Sequence, residues 1–181
     1  KGPHNRDALW NALLDDRLDV IATDHAPHLL SEKFPNVKDI SPDGPLGDSN
    51  TLLPPEAGSL EGAAGLPLVQ HSLLLMLYYY KQGKISLEKI VQKMSHAVAD
   101  CFRVSERGYI REGYFADLVI VDPGAITQAS KKNILYKCGW SPLQGFEFPA
   151  AITHTFVNGQ MVYGNGKWDE SKKGERLKFE R

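Results

Sequence analysis

The side chains with the greatest capacity for chemistry stand together in one short stretch, Ala-Thr-Asp-His-Ala-Pro-His at residues 22–28. It holds one carboxylate, Asp24, and two imidazoles, His25 and His28. Carboxylate and imidazole groups bind metal ions and transfer protons in enzymes. Because the stretch follows an apolar segment, Asp24 is predicted to close a buried strand, where barrel enzymes place their catalytic groups.

Two simpler explanations of these residues stay open at this point. Asp24 can cap the turn after the strand while the two histidines fill space or form hydrogen bonds. Alternatively, His25 and His28 form a small metal site of their own. Pro27 lies between them and the segment is not predicted to be helical, so the two rings need not face the same way.

A helix and a strand are predicted to position this stretch. Asn5 can cap a helix that runs to Asp16. Its apolar residues recur at helical spacing: Leu9, Trp10, Leu13 and Leu14. The next segment, 18–24, is apolar or β-branched from Val20 to Thr23 without alternation, which is typical of a strand buried on both faces. A helix followed by a buried strand indicates the α/β class.

Residues 27–65 are rich in Pro, Gly, Ser, Asp and Asn and contain no predicted helix or strand. A connection of this length within a compact domain is usually a functional loop or a lid. We therefore expect a mobile lid loop that begins at the end of the strand carrying Asp24.

Two helices are predicted after this loop. Pro67 stands in the first turn of one that ends near Gly83, and Ser86 caps the next, which runs to about residue 103. The apolar side of the second helix is formed by Leu87, Ile90, Val91, Met94, Val98, Cys101 and Phe102, and its solvent side by Lys89, Gln92 and Lys93.

The last third of the chain is predicted to be a β module. One strand covers 116–122, and two more lie within 153–163, joined at Asn158-Gly159, a dipeptide favoured in tight hairpin turns. A polar tail occupies 169–181.

Length and charge exclude several classes of protein. The chain has 181 residues, 42% apolar and 24% charged, with a formal net charge of −1, so no field of one sign exists to bind nucleic acid or an anionic membrane. A complete (β/α)8 barrel needs about 250 residues, so the chain can hold only part of one. The start at Lys1, without a methionine, is interpreted as that of a fragment or a processed piece.

The two cysteines and the apolar runs bear on location. Cys101 and Cys138 form no CxxC pair, which excludes a disulfide framework and a thiolate zinc site and fits a reducing cytoplasm. No segment has the features of a signal peptide. The longest apolar run, Leu73–Tyr80, falls well short of the roughly 18 residues that cross a membrane.

Residues 22–28, together with Glu32-Lys33, resemble the late-strand motif of the dihydroorotases, cyclic amidohydrolases of the metal-dependent amidohydrolase superfamily. Further segments resemble the same family in the same order: Arg6–Trp10, Gly83–Leu87, Gly108–Gly113, Ala116–Leu118 and Val157–Gln160. The resemblance covers nearly the whole chain. The seven-residue motif resembles that of dihydroorotases more than those of hydantoinases or allantoinases.

The resemblance implies a (β/α)8 barrel with two zinc ions at its mouth and a small β-sandwich built from both chain ends. Residues 1–104 would supply the last strand and closing helices of this metal-dependent hydrolase barrel, with the lid loop at 27–65. Residues 105–181 would supply the C-terminal strands of the sandwich and a polar tail. The family's His-x-His pair, lysine carbamate and middle-strand histidines have no counterpart here, so the chain alone is expected to be inactive.

The resemblance also implies roles for single residues. Asp24 aligns with the residue that ligates one zinc ion and moves a proton from the attacking water to the leaving nitrogen. His28 aligns with a residue that contacts the substrate carboxylate, and Gly62 and Gly65 fall near the loop backbone that approaches the ring. His25 receives only a supporting role beside the metal site. Three further histidines are predicted to be surface or core residues: His71, His96 and His154.

The complete enzyme that the resemblance implies is a zinc-dependent dihydroorotase, which interconverts dihydroorotate and carbamoyl aspartate in pyrimidine biosynthesis. Two alternatives stay open, a non-catalytic scaffold that keeps the fold for assembly and a hydantoinase or allantoinase that opens another ring. The intact motif around Asp24 favours an enzyme over a scaffold. The expected partner is a small-molecule substrate, not nucleic acid or a membrane, and the complete enzyme is expected to be a homodimer.

Overall fold

The computed structural model describes residues 4–34 and 64–180, in a mixed α/β arrangement. The helices are α1 (His4–Leu14), α2 (Leu30–Lys33), α3 (Ser72–Lys81), α4 (Leu87–Val91) and α5 (Ala97–Phe102). A 3-10 turn at Val69–His71 precedes α3, and a π-helical turn at Gln92–His96 joins α4 to α5. The strands are β1 (Leu118–Asp122), β2 (Thr127–Gln128), β3 (Glu147–Phe148), β4 (Ala151–Val157), β5 (Gln160–Gly164) and β6 (Lys167–Trp168). Most of the predicted lid loop, including Gly62, lies outside the described residues.

The chain divides into two compact units. Of the described residues, unit one comprises those within 1–22, 79–123 and 151–181, and unit two comprises those within 23–78 and 124–150. Neither unit ends at the predicted boundary between residues 104 and 105, because the two sides of this boundary pack together in unit one. A Cβ on Gly108 would lie 2.4 Å from that of Ala99, and Tyr109 stacks on His96 with 4.1 Å between ring centroids. The boundary stays a prediction about the complete protein.

Unit one contains a four-stranded antiparallel sheet in the order β1-β4-β5-β6. The predicted hairpin is confirmed, since β4 and β5 are joined at Asn158-Gly159. Both turn residues have positive φ, 53° and 75°, as the commonest two-residue hairpin turns require.

The hairpin turn is attached to the loop before β1 by a cluster of polar groups. Arg107, largely buried, donates to the carboxylate of Asp117 and, at 2.7 Å, to Oδ1 of Asn158. The other Asp117 oxygen accepts the Asn158 N–H at 2.8 Å, and the Gly159 N–H donates to the carbonyl of Ala116 at 3.0 Å. A buried guanidinium is tolerated only when it is paired in this way.

The predicted faces of the helix after Ser86 are wrong at several positions. Lys93, expected in solvent, is 2% exposed, whereas Val91 and Phe102, expected to pack, are 47% and 60% exposed. The π-helical turn departs from the spacing of 3.6 residues per turn on which the prediction rested. The buried ammonium of Lys93 is compensated, because its Nζ lies 2.9 Å from Oδ1 of Asp16 and donates to a main-chain carbonyl.

The strand predicted at 18–24 does not form, since residues 19–24 belong to no helix or strand. A strand needs a neighbour with which to build a ladder of hydrogen bonds, and the described residues place no strand beside this segment. Instead of such a ladder, the Ile21 N–H donates to the main-chain carbonyl of Lys93 at 3.1 Å, within unit one. Ala22 and Asp24 are exposed rather than buried.

Unit two is built around aromatic side chains and the first turns of α3. This helix starts at Ser72, five residues after Pro67, because the 3-10 turn takes up the intervening chain. The stop predicted at Gly83 is confirmed, with φ of 70° just beyond the last helical residue. The largest fully buried side chains of the unit are those of Phe148, His71, Pro67 and Ser141, and Trp140 is 2% exposed. None of the helices in the described part of the chain is both long and apolar enough to span a bilayer.

Candidate functional site

Asp24 has a main-chain conformation that residues other than glycine seldom adopt, with φ of 47°. The left-handed region costs an L-residue roughly 1 kcal/mol. Such conformations persist only where neighbouring structure enforces them, and they are concentrated at active sites. Asp24 is also exposed, so its carboxylate is accessible to a ligand.

The segment at 64–66 packs against Asp24 and its neighbours and maintains this main-chain conformation. The Ala26 N–H donates to the carbonyl of Leu66 at 3.1 Å, and His25 and Leu66 form a parallel bridge. Gly65, with φ of 79°, lies so close that a Cβ there would be 2.5 Å from the Ala26 Cβ and 2.7 Å from the carbonyl oxygen of Asp24. One carboxylate oxygen of Asp24 would be 3.4 Å from the same Cβ. Only glycine fits at residue 65 with this geometry.

His25 faces the start of the helix that follows. Its Nδ1 accepts the main-chain N–H groups of Leu68 and Val69, at 3.2 and 3.3 Å. Its ring lies against that of Tyr136, with 5.1 Å between centroids. With Nδ1 as the acceptor, the neutral ring carries its proton on Nε2 and has no lone pair left for a metal ion, so this arrangement does not favour His25 and His28 as a metal pair.

His28 is held through its main chain while its side chain stays accessible. Its carbonyl oxygen accepts the indole N–H of Trp140 at 2.9 Å. Its ring is 42% exposed, with Nδ1 at 3.7 Å from the carboxylate of Glu32. Glu32 in turn accepts the Leu29 N–H at 2.8 Å. An exposed imidazole can donate to an anionic group from both nitrogens when it is protonated.

A comparison with protein families shows to which family the chain belongs. The sequence pattern of the amidohydrolase family matches residues 1–162. The chain belongs to the amidohydrolase family. The motif residues Asp24, His25 and His28 all lie within the matched range.

Relatives within the amidohydrolases are named dihydroorotases. That of Halobacterium salinarum is 32% identical over 160 residues, which is 87% of this chain and 32% of the relative. That of Pyrococcus furiosus is 29% identical over 177 residues, which is 98% of this chain and 36% of the relative. The chain spans about a third of the length of the curated relatives it matches.

Solved structures of amidohydrolases share the fold. The L-hydantoinase (dihydropyrimidinase) from Arthrobacter aurescens is 27% identical with a TM-score of 0.68, over 88% of this chain and 32% of its own. The dihydropyrimidinase from Brevibacillus agri gives 0.72 at 23% identity, over 93% of this chain and 33% of its own. The predicted α/β class is thereby confirmed as an amidohydrolase-type mixed α/β fold.

The side chains of this amidohydrolase chain fit one position of a metal site. An exposed carboxylate such as that of Asp24 is an oxygen ligand that zinc accepts. No three side chains of His, Cys, Asp or Glu converge anywhere in residues 4–34 and 64–180. A zinc site needs at least three protein ligands, so Asp24 fits as a single member of a larger ligand set.

Two aromatic residues contact the motif and were not predicted from the sequence to do so. Trp140 binds the carbonyl of His28, and Tyr136 lies against His25. Both come from 124–150, more than 100 positions after the motif, and they follow no periodic pattern. No sequence signal would have connected them with the motif.

His71 is buried and structural, in keeping with its prediction as a surface or core residue. It is 1% exposed, stacks on Phe148 with 5.4 Å between centroids, and lies 3.5 Å from the hydroxyl of Ser141. Burial lowers the pKa of His71 to about 4. The ring is therefore neutral in the folded chain at neutral pH.

We expect acid to destabilise the chain through His71. Below pH 6.5 the unfolded chain binds a proton at this ring, whereas the folded chain does so only near its pKa of about 4. The free energy of unfolding should therefore fall as the pH is lowered from 6.5 to 4, by about 3 kcal/mol from this group. Urea unfolding at several pH values measures the slope.

The variant His71→Phe serves as the control for this slope, because it keeps the stack on Phe148 but cannot titrate. Its free energy of unfolding should depend less steeply on pH between 6.5 and 4. An identical slope in the two proteins would assign the acid sensitivity to other groups.

Proposed function

We propose that this chain contributes the catalytic aspartate and a substrate-binding histidine to a zinc-dependent dihydroorotase. The observation that carries the proposal is the geometry of Asp24, an exposed carboxylate held in a left-handed conformation by Gly65 within the motif 22–28. Conformations of this kind are concentrated at active sites, which supports a functional role of Asp24. The relatives named dihydroorotase support the choice of substrate.

Asp24 is proposed to move the proton in ring opening. Its carboxylate accepts the proton of the water that adds to the cyclic amide carbon of dihydroorotate. It then donates this proton to the ring nitrogen as the C–N bond breaks, so that carbamoyl aspartate is formed. One group can serve first as base and then as acid because it returns to its ionised form at the end of each turnover.

Zinc is proposed to bind Asp24 together with ligands beyond the described residues, and when bound it polarises the carbonyl group and lowers the pKa of water. His28 is proposed to contact the substrate carboxylate with its exposed ring. Because Trp140 holds the carbonyl of His28, the main chain beneath the ring is fixed. A fixed contact orients the ring of the substrate toward Asp24.

A hydantoinase is the second candidate, favoured by the TM-score of 0.68 and 27% identity to the L-hydantoinase from Arthrobacter aurescens. The chemistry at Asp24 would be the same and the ring would differ. Dihydroorotate carries a carboxylate that hydantoin and dihydrouracil lack. The role of His28 therefore separates the two candidates.

The deciding experiment measures hydrolysis of dihydroorotate, hydantoin and dihydrouracil by the complete zinc-loaded protein. We expect kcat/KM for dihydroorotate to exceed those for the other two rings by at least about tenfold, because this is the effect of one well-placed hydrogen bond to a charged group. Preference for hydantoin or dihydrouracil would overturn the proposed substrate. Failure to open any of the three rings would favour the alternative that the protein is a non-catalytic scaffold.

The variant His28→Ala tests the proposed contact with the substrate carboxylate. In the complete protein, KM for dihydroorotate should rise about tenfold or more, since a charge-assisted hydrogen bond contributes about 1.5–3 kcal/mol. Any hydrolysis of dihydrouracil, which has the same ring without the carboxylate, should be unaffected. Equal effects on the two substrates would show that His28 does not read the carboxylate.

Further features of the complete protein follow from the same proposal. The chain is proposed to supply the last strand and closing helices of a (β/α)8 barrel and the C-terminal strands of a β-sandwich. In that setting a neighbouring barrel strand would pair with residues 18–24. Participation in pyrimidine biosynthesis, a cytoplasmic location and a homodimer stay predictions.

A further inference from the structure

We propose that His25 is a positioning residue for Asp24, holding the strained main chain of the motif to the start of helix α3. This inference rests on the proposed function and adds a role for a side chain that neither contacts substrate nor binds metal. The structural feature behind it is the attachment of a single imidazole to two main-chain N–H groups more than 40 positions away in the sequence.

The contact made by His25 provides an acceptor for main-chain N–H groups that have none within the helix they begin. Leu68 and Val69 stand at the first turn of the 3-10 segment that leads into α3, and the first N–H groups of a helix have no acceptor within it. Residue 68 has no side-chain cap of its own. Nδ1 of His25 accepts both N–H groups, at 3.2 and 3.3 Å, so the imidazole takes the place of the usual Ser, Thr, Asp or Asn cap.

The imidazole is fixed on its other side by Tyr136. The two rings are 5.1 Å apart at an angle of 47°. The Tyr136 hydroxyl accepts the N–H of Gln70 at 2.9 Å, the next residue in the same turn. Three successive N–H groups, from residues 68 to 70, are thus bound by His25 and Tyr136. The ring of His25 has little freedom to change rotamer without breaking these contacts.

Because His25 is adjacent to Asp24 in the chain, the contacts of its ring act on the main chain of Asp24. It directly follows Asp24, whose φ of 47° must be maintained by contacts outside the residue itself. The bond from Ala26 to Leu66 and the packing of Gly65 act on the same few atoms. His28, by contrast, has its own attachment through the indole of Trp140. Loss of the His25 contact should therefore misplace the proton-transfer group and leave the substrate contact in place.

Two substitutions separate the acceptor of His25 from its ring. His25→Phe keeps a ring against Tyr136 but has no acceptor for the two N–H groups. His25→Asn loses the ring but keeps an acceptor, because Oδ1 of Asn is as many bonds from the main chain as Nδ1 of His. In the complete zinc-loaded protein we expect His25→Phe to lower kcat at least about tenfold, with KM for dihydroorotate changed less than twofold. His25→Asn should keep kcat within about threefold of the unsubstituted protein.

Ser86→Ala is the matched control for loss of a helix cap. The Ser86 hydroxyl accepts the Lys89 N–H at 3.1 Å at the start of α4, in unit one. This substitution should lower Tm about as much as His25→Phe does, without changing kcat. A purely structural role of His25 would give the same result for both caps, a lower Tm with kcat preserved, and would overturn the proposal.

Hydrogen–deuterium exchange over residues 64–72 gives a measurement that does not depend on activity. Exchange there should become faster in His25→Phe and stay slow in His25→Asn. Unchanged exchange in His25→Phe would overturn the cap itself. Where the unsubstituted protein opens hydantoin or dihydrouracil rather than dihydroorotate, the kinetic comparison is made with the ring that it opens, so that an error in the proposed substrate is distinguished from an error about His25. An unsubstituted protein that opens none of the three rings would overturn both proposals.

Discussion

Replacing Asp24 by asparagine in the complete protein is expected to lower kcat for ring opening about 1000-fold or more. The amide has nearly the shape of the carboxylate but cannot accept a proton, and positioned acid–base groups contribute roughly 10²- to 10⁴-fold to rates. It is also a weaker zinc ligand. Asparagine tolerates the left-handed region well, so the φ of 47° should persist. Steady-state kinetics with dihydroorotate measure the loss.

Asp19→Asn is the matched control for Asp24→Asn, because it removes the same charge five positions earlier at another exposed residue. It should leave kcat and KM unchanged. Circular dichroism and Tm should be close to those of the unsubstituted protein for both variants. Near-normal turnover by Asp24→Asn would show that Asp24 does not carry the proton in ring opening.

Replacing Gly65 by alanine is expected to damage both stability and activity. The added Cβ would lie 2.5 Å from the Ala26 Cβ and 2.7 Å from the Asp24 carbonyl oxygen, and the φ of 79° is itself unfavourable for alanine. Overpacking and left-handed strain together should lower the free energy of unfolding by about 3 kcal/mol. Relief of the overlap must move the main chain of Asp24, so kcat should fall at least about tenfold. Urea unfolding and kinetics measure the two effects.

Gly145→Ala separates these two causes. Gly145 has φ of 83°, close to that of Gly65, but nothing among the described residues lies within 4 Å of the added Cβ. It should lower the free energy of unfolding by the strain alone, about 1 kcal/mol, with kcat unchanged. Equal losses of stability and of kcat in the two variants would mean that the close approach of Gly65 to Asp24 has no special effect.

Local features of the fold could be predicted where a short pattern specifies its own hydrogen bonds. The hairpin at Asn158-Gly159 follows from two residues that accept positive φ, and the end of α3 follows from Gly83. The cap of the helix after Ser86 follows from a hydroxyl three residues before the N–H of Lys89. Each of these contacts joins groups a few positions apart, so tertiary context has little opportunity to override it.

Features that depend on distant partners were predicted wrongly or not at all. The apolar run before Asp24 has the composition of a buried strand, yet it forms no ladder because no strand lies beside it in the described residues. Lys93 is charged and was therefore expected in solvent, but its side chain is buried and pairs with Asp16. It lies in a π-helical turn that the spacing of apolar residues did not indicate. Whether a segment forms a strand, or a lysine is buried, depends on what the rest of the chain brings to it.

The sequence by itself determined which groups are available for catalysis, because the motif 22–28 names a carboxylate and two histidines and its resemblance to dihydroorotases extends along the chain. Only the tertiary structure decided what each of them can do. Gly65 comes to Asp24, the helix start comes to Nδ1 of His25, and Trp140 comes to His28. These partners lie more than 40 positions from the residues they hold, and no local periodicity encodes contacts at such separations. Packing of the whole unit selects these partners, and it thereby fixes the main chain at Asp24, the ring of His25 and the main chain at His28.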